Sequence, residues 1–424
     1  MFRRFPVGAK KTGMLVNAFP STETVNDVTI HRSQCRVPNV SMLQPMIFAN
    51  ARMILPNGIC DDLEIVVANG KIAEIRKRTN AEAIDLGGNY LAPGFIDLHI
   101  HGAVGRDTME ASEEAFQTIC DYHATGGTTS LLLTTVTAPI DRIIDVLRAV
   151  RESVPAIRQI AGVHVEGPFI SRIRCGAQCE EFIRDPDGES VEQLLEFADV
   201  VKRVTLAPEL PGALDLIDRL RQSNIAVSGG HSDASDSEAS AGFSRGMRHV
   251  THTFNAMSSA RRRGVYREAG LLEFALSEPE IVCELIADGH HVRPTLVKML
   301  YRAKGPGGIC LVTDATAGAG LANGARFSLS GRDCVVGDGV CLLTDRSALA
   351  GSASRMIDLV RVIVNDVKIP LHEAVAMASA TPARALGSKR KGRLEVDVDA
   401  DFVVLSPELE VLQTLVGGEQ VFAR

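Results

Sequence analysis

Tryptophan is absent from the 424 residues and aromatic side chains make up only 4% of them, but other absences exclude more. No run of ~18 apolar residues occurs, which excludes a membrane-spanning helix as a sequence expectation. Basic charge is not in excess: 45 Lys and Arg against 52 Asp and Glu leave a net charge of −7. With a pI near 5.9, a nucleic-acid-binding surface is not expected. The nine cysteines form no paired framework, and the closest two, Cys175 and Cys179, stand among charged neighbours. That usage predicts reduced thiols and a cytoplasmic location. The N-terminus carries basic residues without the apolar core of about 7 to 15 residues that a signal peptide needs. No Gly-rich dinucleotide turn follows an early strand and no P-loop is present, so a doubly wound nucleotide-binding fold is disfavoured. A small-molecule partner is the class left standing.

What is there is ordinary globular material, 45% hydrophobic and 23% charged with 37 glycines. The length suits one large domain and a smaller one, since single cores stop growing near roughly 250 to 300 residues. Residues 1–45 show no sustained period and are expected to be a poorly ordered extension, with Met42 and Met46 both eligible starts. From Met46 short strands alternate with Asn-Gly turns. Eight apolar runs then alternate with helical spacing: 95–102, 128–137, 159–168, 201–209, 225–233, 247–257, 282–291 and 308–316. This pattern predicts an α/β fold, a (β/α)₈ TIM-like barrel over 94–388. Hairpin signals follow from about Phe327, then a helical stretch, then strands again near the C-terminus. The strand-rich pieces 46–93 and 389–424 are each too small to stand alone, so they are expected to meet as one β-sandwich domain built from both chain ends.

Barrels of this kind carry their chemistry at the C-terminal ends of the strands. Those ends hold His99 and His101, Glu166, His231, His252, His291 and Asp314. In "LAPGFIDLHIHG" strand alternation sets Asp97, His99 and His101 on one face and Ile96, Leu98 and Ile100 on the other. Imidazoles and carboxylates gathered at one mouth point to a divalent metal, zinc or iron being most suitable, with one or two ions per chain. His99 and His101 can offer two nitrogens to one ion. Glu166, His231 and His252 form a three-ligand set with room for water, and Asp314 joins the ligand candidates. Asp97 and His164 are expected to support the ligands, while His123, His249 and His372 lie on helices or at the wrong strand position.

The motifs "GFIDLHIHG", "HVEGPF", "GGHSDA", "THTFNAM", "ADGHHV", "LVTDAT" and "LAGS" resemble, in order, those of the N-acetylglucosamine-6-phosphate deacetylases in the amidohydrolase superfamily. The resemblance spans about residues 46–424. It implies a metal on Glu166, His231 and His252, a second ion where His99 and His101 are kept, and Asp314 as proton shuttle. It also implies that His291 bonds to the substrate and polarises the acetyl carbonyl. Asn255, Ala256 and Gln178 would contact the amino sugar phosphate, and the family's assembly implies a homodimer. Gln178 stands where some members have His. The fourth run ends in Glu209 without a lysine, which disfavours carbamylated-lysine relatives. One stretch departs from the pattern: "NAMSSARRRGVYREAG" has Arg263 at the expected distance for a phosphate ligand and Arg267 in the expected context. Arg355 also stands where the family tends to be uncharged. Three functions therefore stay open: deacetylation of N-acetylglucosamine 6-phosphate, hydrolysis of another N-acyl compound such as N-acetylgalactosamine 6-phosphate, and non-catalytic binding of a sugar phosphate.

Overall fold

A computed structural model describes residues 45–424. The expected N-terminal extension, but for its last residue, lies outside this range, as does Met42. Eight parallel strands follow one another in a single sheet: β1 Phe95–Ile100, β2 Thr128–Thr134, β3 Ile160–Glu166, β4 Val201–Leu206, β5 Ala226–Gly229, β6 His249–Val250, β7 Val282–Leu285 and β8 Ile309–Leu311. Each falls inside one of the eight apolar runs. The sheet closes between β8 and β1, where Asp314 N–H donates to His99 O at 2.9 Å and His101 N–H to Ala315 O at 2.8 Å. The fold is thus the expected TIM-like barrel.

Strands covered on both faces read as continuous apolar runs, and every residue of β2 is buried. The helices between them are amphipathic. In α2, Ile140–Ser153, the buried Ile143, Val146, Leu147 and Val150 form one stripe at helical spacing. The helix Asp236–Arg245 begins with a reciprocal cap in which Ser235 and Glu238 satisfy each other's backbone N–H groups. On β1, Ile96 and Leu98 pack outward with Val312 and Ala383, leaving Asp97 and His99 to the interior.

The strands of the two chain ends do interleave. A six-stranded sheet runs in the order Glu419–Ala423, Val411–Val416, Phe402–Leu405, Tyr90–Pro93, Arg52–Leu55, Gly58–Cys60, and Phe402 pairs with Pro93 across the junction. A four-stranded sheet, Lys71–Lys77, Leu63–Ala68, Met46–Ala49 and Ile84–Asp85, lies over it. Phe48, Met53, Ile65, Leu91, Phe402 and Leu415 fill the space between, with Phe48 and Phe402 edge to face at 5.9 Å. A third sheet comes from the hairpin signals: Arg326–Leu329, Arg332–Gly337, Val340–Leu343 and Leu349–Ser352 form an antiparallel meander. It joins the barrel rim where Ser352 pairs with Ala315, and its apolar side packs on Val136 and Ala177 beside the mouth.

Candidate metal centre and active site

Each candidate ligand stands at or just past a strand end, and three of them occupy a backbone region that non-glycine residues avoid. His231, His252 and Asp314 have φ of 46°, 31° and 48°. Left-handed backbone costs an L-residue roughly 1–2 kcal/mol, so the surrounding fold must hold all three in place. The "GGHSD" glycines permit the approach at β5: a Cβ on Gly230 would stand 2.7 Å from Thr251 Cβ.

The side chains converge on Glu166. Its Oε1 lies 3.1 Å from His252 Nε2, 3.3 Å from His231 Nε2 and 3.4 Å from His99 Nε2, while Oε2 lies 3.4 Å from His101 Nε2. Asp314 Oδ1 is 3.2 Å from His101 Nε2 and 3.5 Å from His99 Nε2. Two overlapping sets, His99–His101–Glu166 and Glu166–His231–His252, keep all their donor atoms within 4.8 Å of one another. Four buried imidazoles so close repel one another if charged, and if neutral they hold one N–H each where Nε2 atoms meet in pairs at 3.1 Å. A cation resolves both problems. Burial alone would lower His101, but the Asp314 and Glu166 carboxylates outweigh it and raise it to about 9, the same field that favours any positive charge at the centre. The donor set therefore fits a divalent ion. Two tautomers are already suited to it, since His231 Nδ1 donates to Arg174 O at 2.8 Å and His99 Nδ1 faces Glu284 Oε2 at 3.2 Å, which leaves both Nε2 atoms toward the centre.

The cluster, His99 excepted, forms the floor of a cavity of about 360 Å³. Asn255, Ala256, His291 and Gln178 line it. Gln178 is fully engaged: Nε2 donates to Glu166 Oε2 at 2.6 Å and Oε1 accepts from Thr137 N–H at 2.7 Å. His291 Nδ1 donates to Asp288 Oδ2 at 2.7 Å. Burial depresses this imidazole, but Asp288 outweighs burial and raises it above the usual histidine range. Arg263 and Arg267 are not brought into the cavity wall of the chain. They stand on an exposed hairpin, Arg261–Arg263 with Tyr266–Glu268, where Arg263 pairs with Glu268 at 2.9 Å. Arg174 does line the cavity, and Asp233 ties it at 2.7 Å to the foot of that hairpin through Arg261 at 2.9 Å.

Residues 90–421 match the model of the amidohydrolase family. The chain is 33% identical over 380 residues to the N-acetylglucosamine-6-phosphate deacetylase of Lysinibacillus sphaericus, covering 88% of this chain and 97% of that one. To the Bos taurus deacetylase it is 35% identical over 395 residues, 88% and 95% of the two chains. The crystal structure of the Pasteurella multocida deacetylase superposes with a TM-score of 0.84 at 33% identity, covering 90% of this chain and 100% of that one. The chain belongs to the N-acetylglucosamine-6-phosphate deacetylase branch of the amidohydrolase family.

Amidohydrolases depend on divalent metal, and the Glu166-centred cluster is this member's candidate site for it. Around that family site lie residues which sequence reasoning missed. Arg203 on β4 and Glu284 on β7 form a charged pair that is 1% exposed at each partner, beneath the ligands. Asp288 and Arg174 were likewise unmarked. The available signal was a charge inside an apolar strand run, as in "VKRVTL" and "VCELIA". The residues expected to support the ligands stand against His99: Asp97 accepts its backbone N–H at 3.3 Å and the His164 ring lies edge-on to its ring at 4.6 Å. Asp97 accepts from Thr313 Oγ1 at 2.6 Å and from the Thr313 backbone, and burial pushes it up to about 7. His164 bonds to Thr205 Oγ1 at 2.7 Å. Arg355 caps a helix and pairs with Asp358. No helix among the described residues is long and apolar enough to cross a membrane.

Proposed function

We propose that the chain hydrolyses the acetamide of N-acetylglucosamine 6-phosphate to glucosamine 6-phosphate and acetate. The observation that carries this is the convergence of Glu166, four imidazole Nε2 atoms and Asp314 Oδ1 at the base of a cavity sized for a small ligand, all but His99 lining it. Nitrogen and oxygen donors suit zinc or iron, and two sets sharing Glu166 support one or two ions per chain. A divalent ion bound there supplies Lewis acidity towards the acetyl carbonyl and acidifies water. Asp314 takes the proton of the attacking water and returns it to the departing nitrogen. Its Oδ1 stands 3.2 Å from His101 Nε2 and 3.5 Å from His99 Nε2, at the centre where an ion's positive charge would favour the ionised carboxylate that accepts the proton. His291, held at Nδ1 by Asp288, would when doubly protonated offer an N–H at Nε2 to the carbonyl oxygen as negative charge develops there. Asn255, Ala256 and Gln178 line the sugar subsite. Arg174, Arg263 and Arg267 are the candidates for the phosphate.

The same proposal has the enzyme acting in the cytoplasm as a homodimer. Free thiols at all eight cysteines among the described residues support a reducing compartment. Sedimentation at twice the 45.5 kDa chain mass would support the dimer. The deciding assay measures amine release from N-acetylglucosamine, N-acetylgalactosamine and their 6-phosphates, with metal analysis of the same samples. Metal-dependent turnover that prefers N-acetylglucosamine 6-phosphate is expected. Equal turnover of phosphorylated and free sugars would sink the phosphate assignment, and full activity without metal would sink the mechanism.

A further inference from the structure

We propose that the buried Arg203–Glu284 pair is a positioning device for His99, fixing the ring proton on Nδ1 and so presenting Nε2 to the ion of the His99–His101–Glu166 set. The inference rests on the metal-dependent function proposed above and goes beyond it, because neither residue touches the cavity. An ionised carboxylate only accepts hydrogen bonds. Glu284 Oε2, 3.2 Å from His99 Nδ1, therefore requires the proton on that nitrogen. The same oxygen accepts the His252 backbone N–H at 3.4 Å, and Oε1 is occupied by Arg203. Glu284 is thus held at both oxygens and cannot turn away from the ring.

Three observations separate this from a merely structural ion pair. A buried pair is poor value for stability, since well-packed apolar residues of the same volume often do as well or better. The pair also partners only one ligand ring: among the four imidazoles, His101 and His252 have no partner at Nδ1, and His231 is oriented by a backbone carbonyl. His99, which lies deepest and is fully buried, is the one given a charged partner. Lastly, the neighbouring His164 ring stands edge-on to His99 at 4.6 Å and 85° with its own Nε2 committed to Thr205, so it blocks rotation without competing for the proton. Partners of metal-bound histidines typically change metal affinity 10–100-fold when removed.

The test uses two uncharged replacements of the pair, because Glu284→Gln alone would strand Arg203 in the interior. In Arg203→Met/Glu284→Gln an amide oxygen can still accept from Nδ1; in Arg203→Met/Glu284→Leu nothing can. Each full-length protein is stripped, dialysed against buffered zinc, and its metal content determined. The Gln double variant should keep both ions with affinities within a fewfold of wild type. The Leu double variant should lose affinity for one ion about 10–100-fold while the ion of the Glu166–His231–His252 set stays. Equal metal binding in the two variants would overturn the proposal. A second measurement needs no variant of the pair: nitrogen–proton correlation spectra of histidine-labelled wild-type zinc protein, with His99 assigned from His99→Asn, should show the Nδ1–H tautomer. An Nε2–H tautomer would overturn the proposal whatever the variants do. A wild type that binds no ion at all would end the metal reading itself, and this device with it.

Discussion

Glu166 is shared by both ligand sets, so its removal should be felt more widely than that of any histidine. Glu166→Gln is expected to lose bound metal and turnover together, read by elemental analysis and amine release. Asp314→Asn should keep metal and fold yet lose about 10²–10⁴ in turnover, because an amide neither accepts nor returns the proton. Replacing His99 and His101 together with Asn should take the metal content from about two to about one per chain with some activity left, since the other three-ligand set is untouched. Away from the site, His123 is fully buried in α1, Glu113–Ala124, and burial pushes it down to about 4. The unfolded chain takes up that proton near ~6.5. Stability due to neutral His123 is therefore complete above ~6.5 and is lost as pH falls towards 4, at about 1.4 kcal/mol per pH unit. His123→Gln should flatten urea-derived stability by that slope over this window. The candidate ligands stood out in the sequence because polar residues at strand ends of a barrel are few and their spacing is fixed. Arg203 and Glu284 were not, since one charge in a strand run looks the same whether it faces water or the barrel centre.

The strands were legible as elements for a related reason: burial on both faces leaves an unbroken apolar run. Their ends were not. The sixth run, 247–257, yields only a two-residue β6, because His252, Phe254 and Ala256 take φ of 31°, 81° and 46° and turn the chain across the mouth. No side-chain pattern announces that conformation in a non-glycine residue. The Arg261–Glu268 hairpin was equally hidden, being exposed and held by ion pairs instead of an apolar face. Its exposure sets up a test of the phosphate contact. Arg174→Ala should raise KM for the phosphorylated sugar roughly ten- to a hundredfold, the worth of a lost charge-assisted contact of about 1.5–3 kcal/mol, with kcat changed less. If the hairpin supplies the contact instead, Arg263→Ala or Arg267→Ala will show that KM shift and Arg174→Ala will not.

For the whole molecule, an ion held by the strained strand ends would couple metal binding to the fold. An ion that binds only the native site stabilises it by mass action. Chelation should therefore lower the melting temperature by several degrees, and calorimetry with and without a chelator checks it; an unchanged midpoint would mean that the site stands without its ion. The overall plan, a barrel set between two halves of a β-sandwich, was visible because neither terminal piece had enough apolar surface to be stable alone.

The same plan has a consequence in time. Tyr90–Pro93 takes Phe402–Leu405 as its neighbour, a strand made about three hundred residues later. At roughly 5–20 residues per second on the ribosome, the first half of the six-stranded sheet waits about 15–60 s for its second half. Throughout that interval the newborn chain carries a bare strand edge, the usual template for joining another chain. The cell must therefore shield this edge for most of the protein's synthesis, and messages that stall before Phe402 should release chains that aggregate before any barrel chemistry can begin.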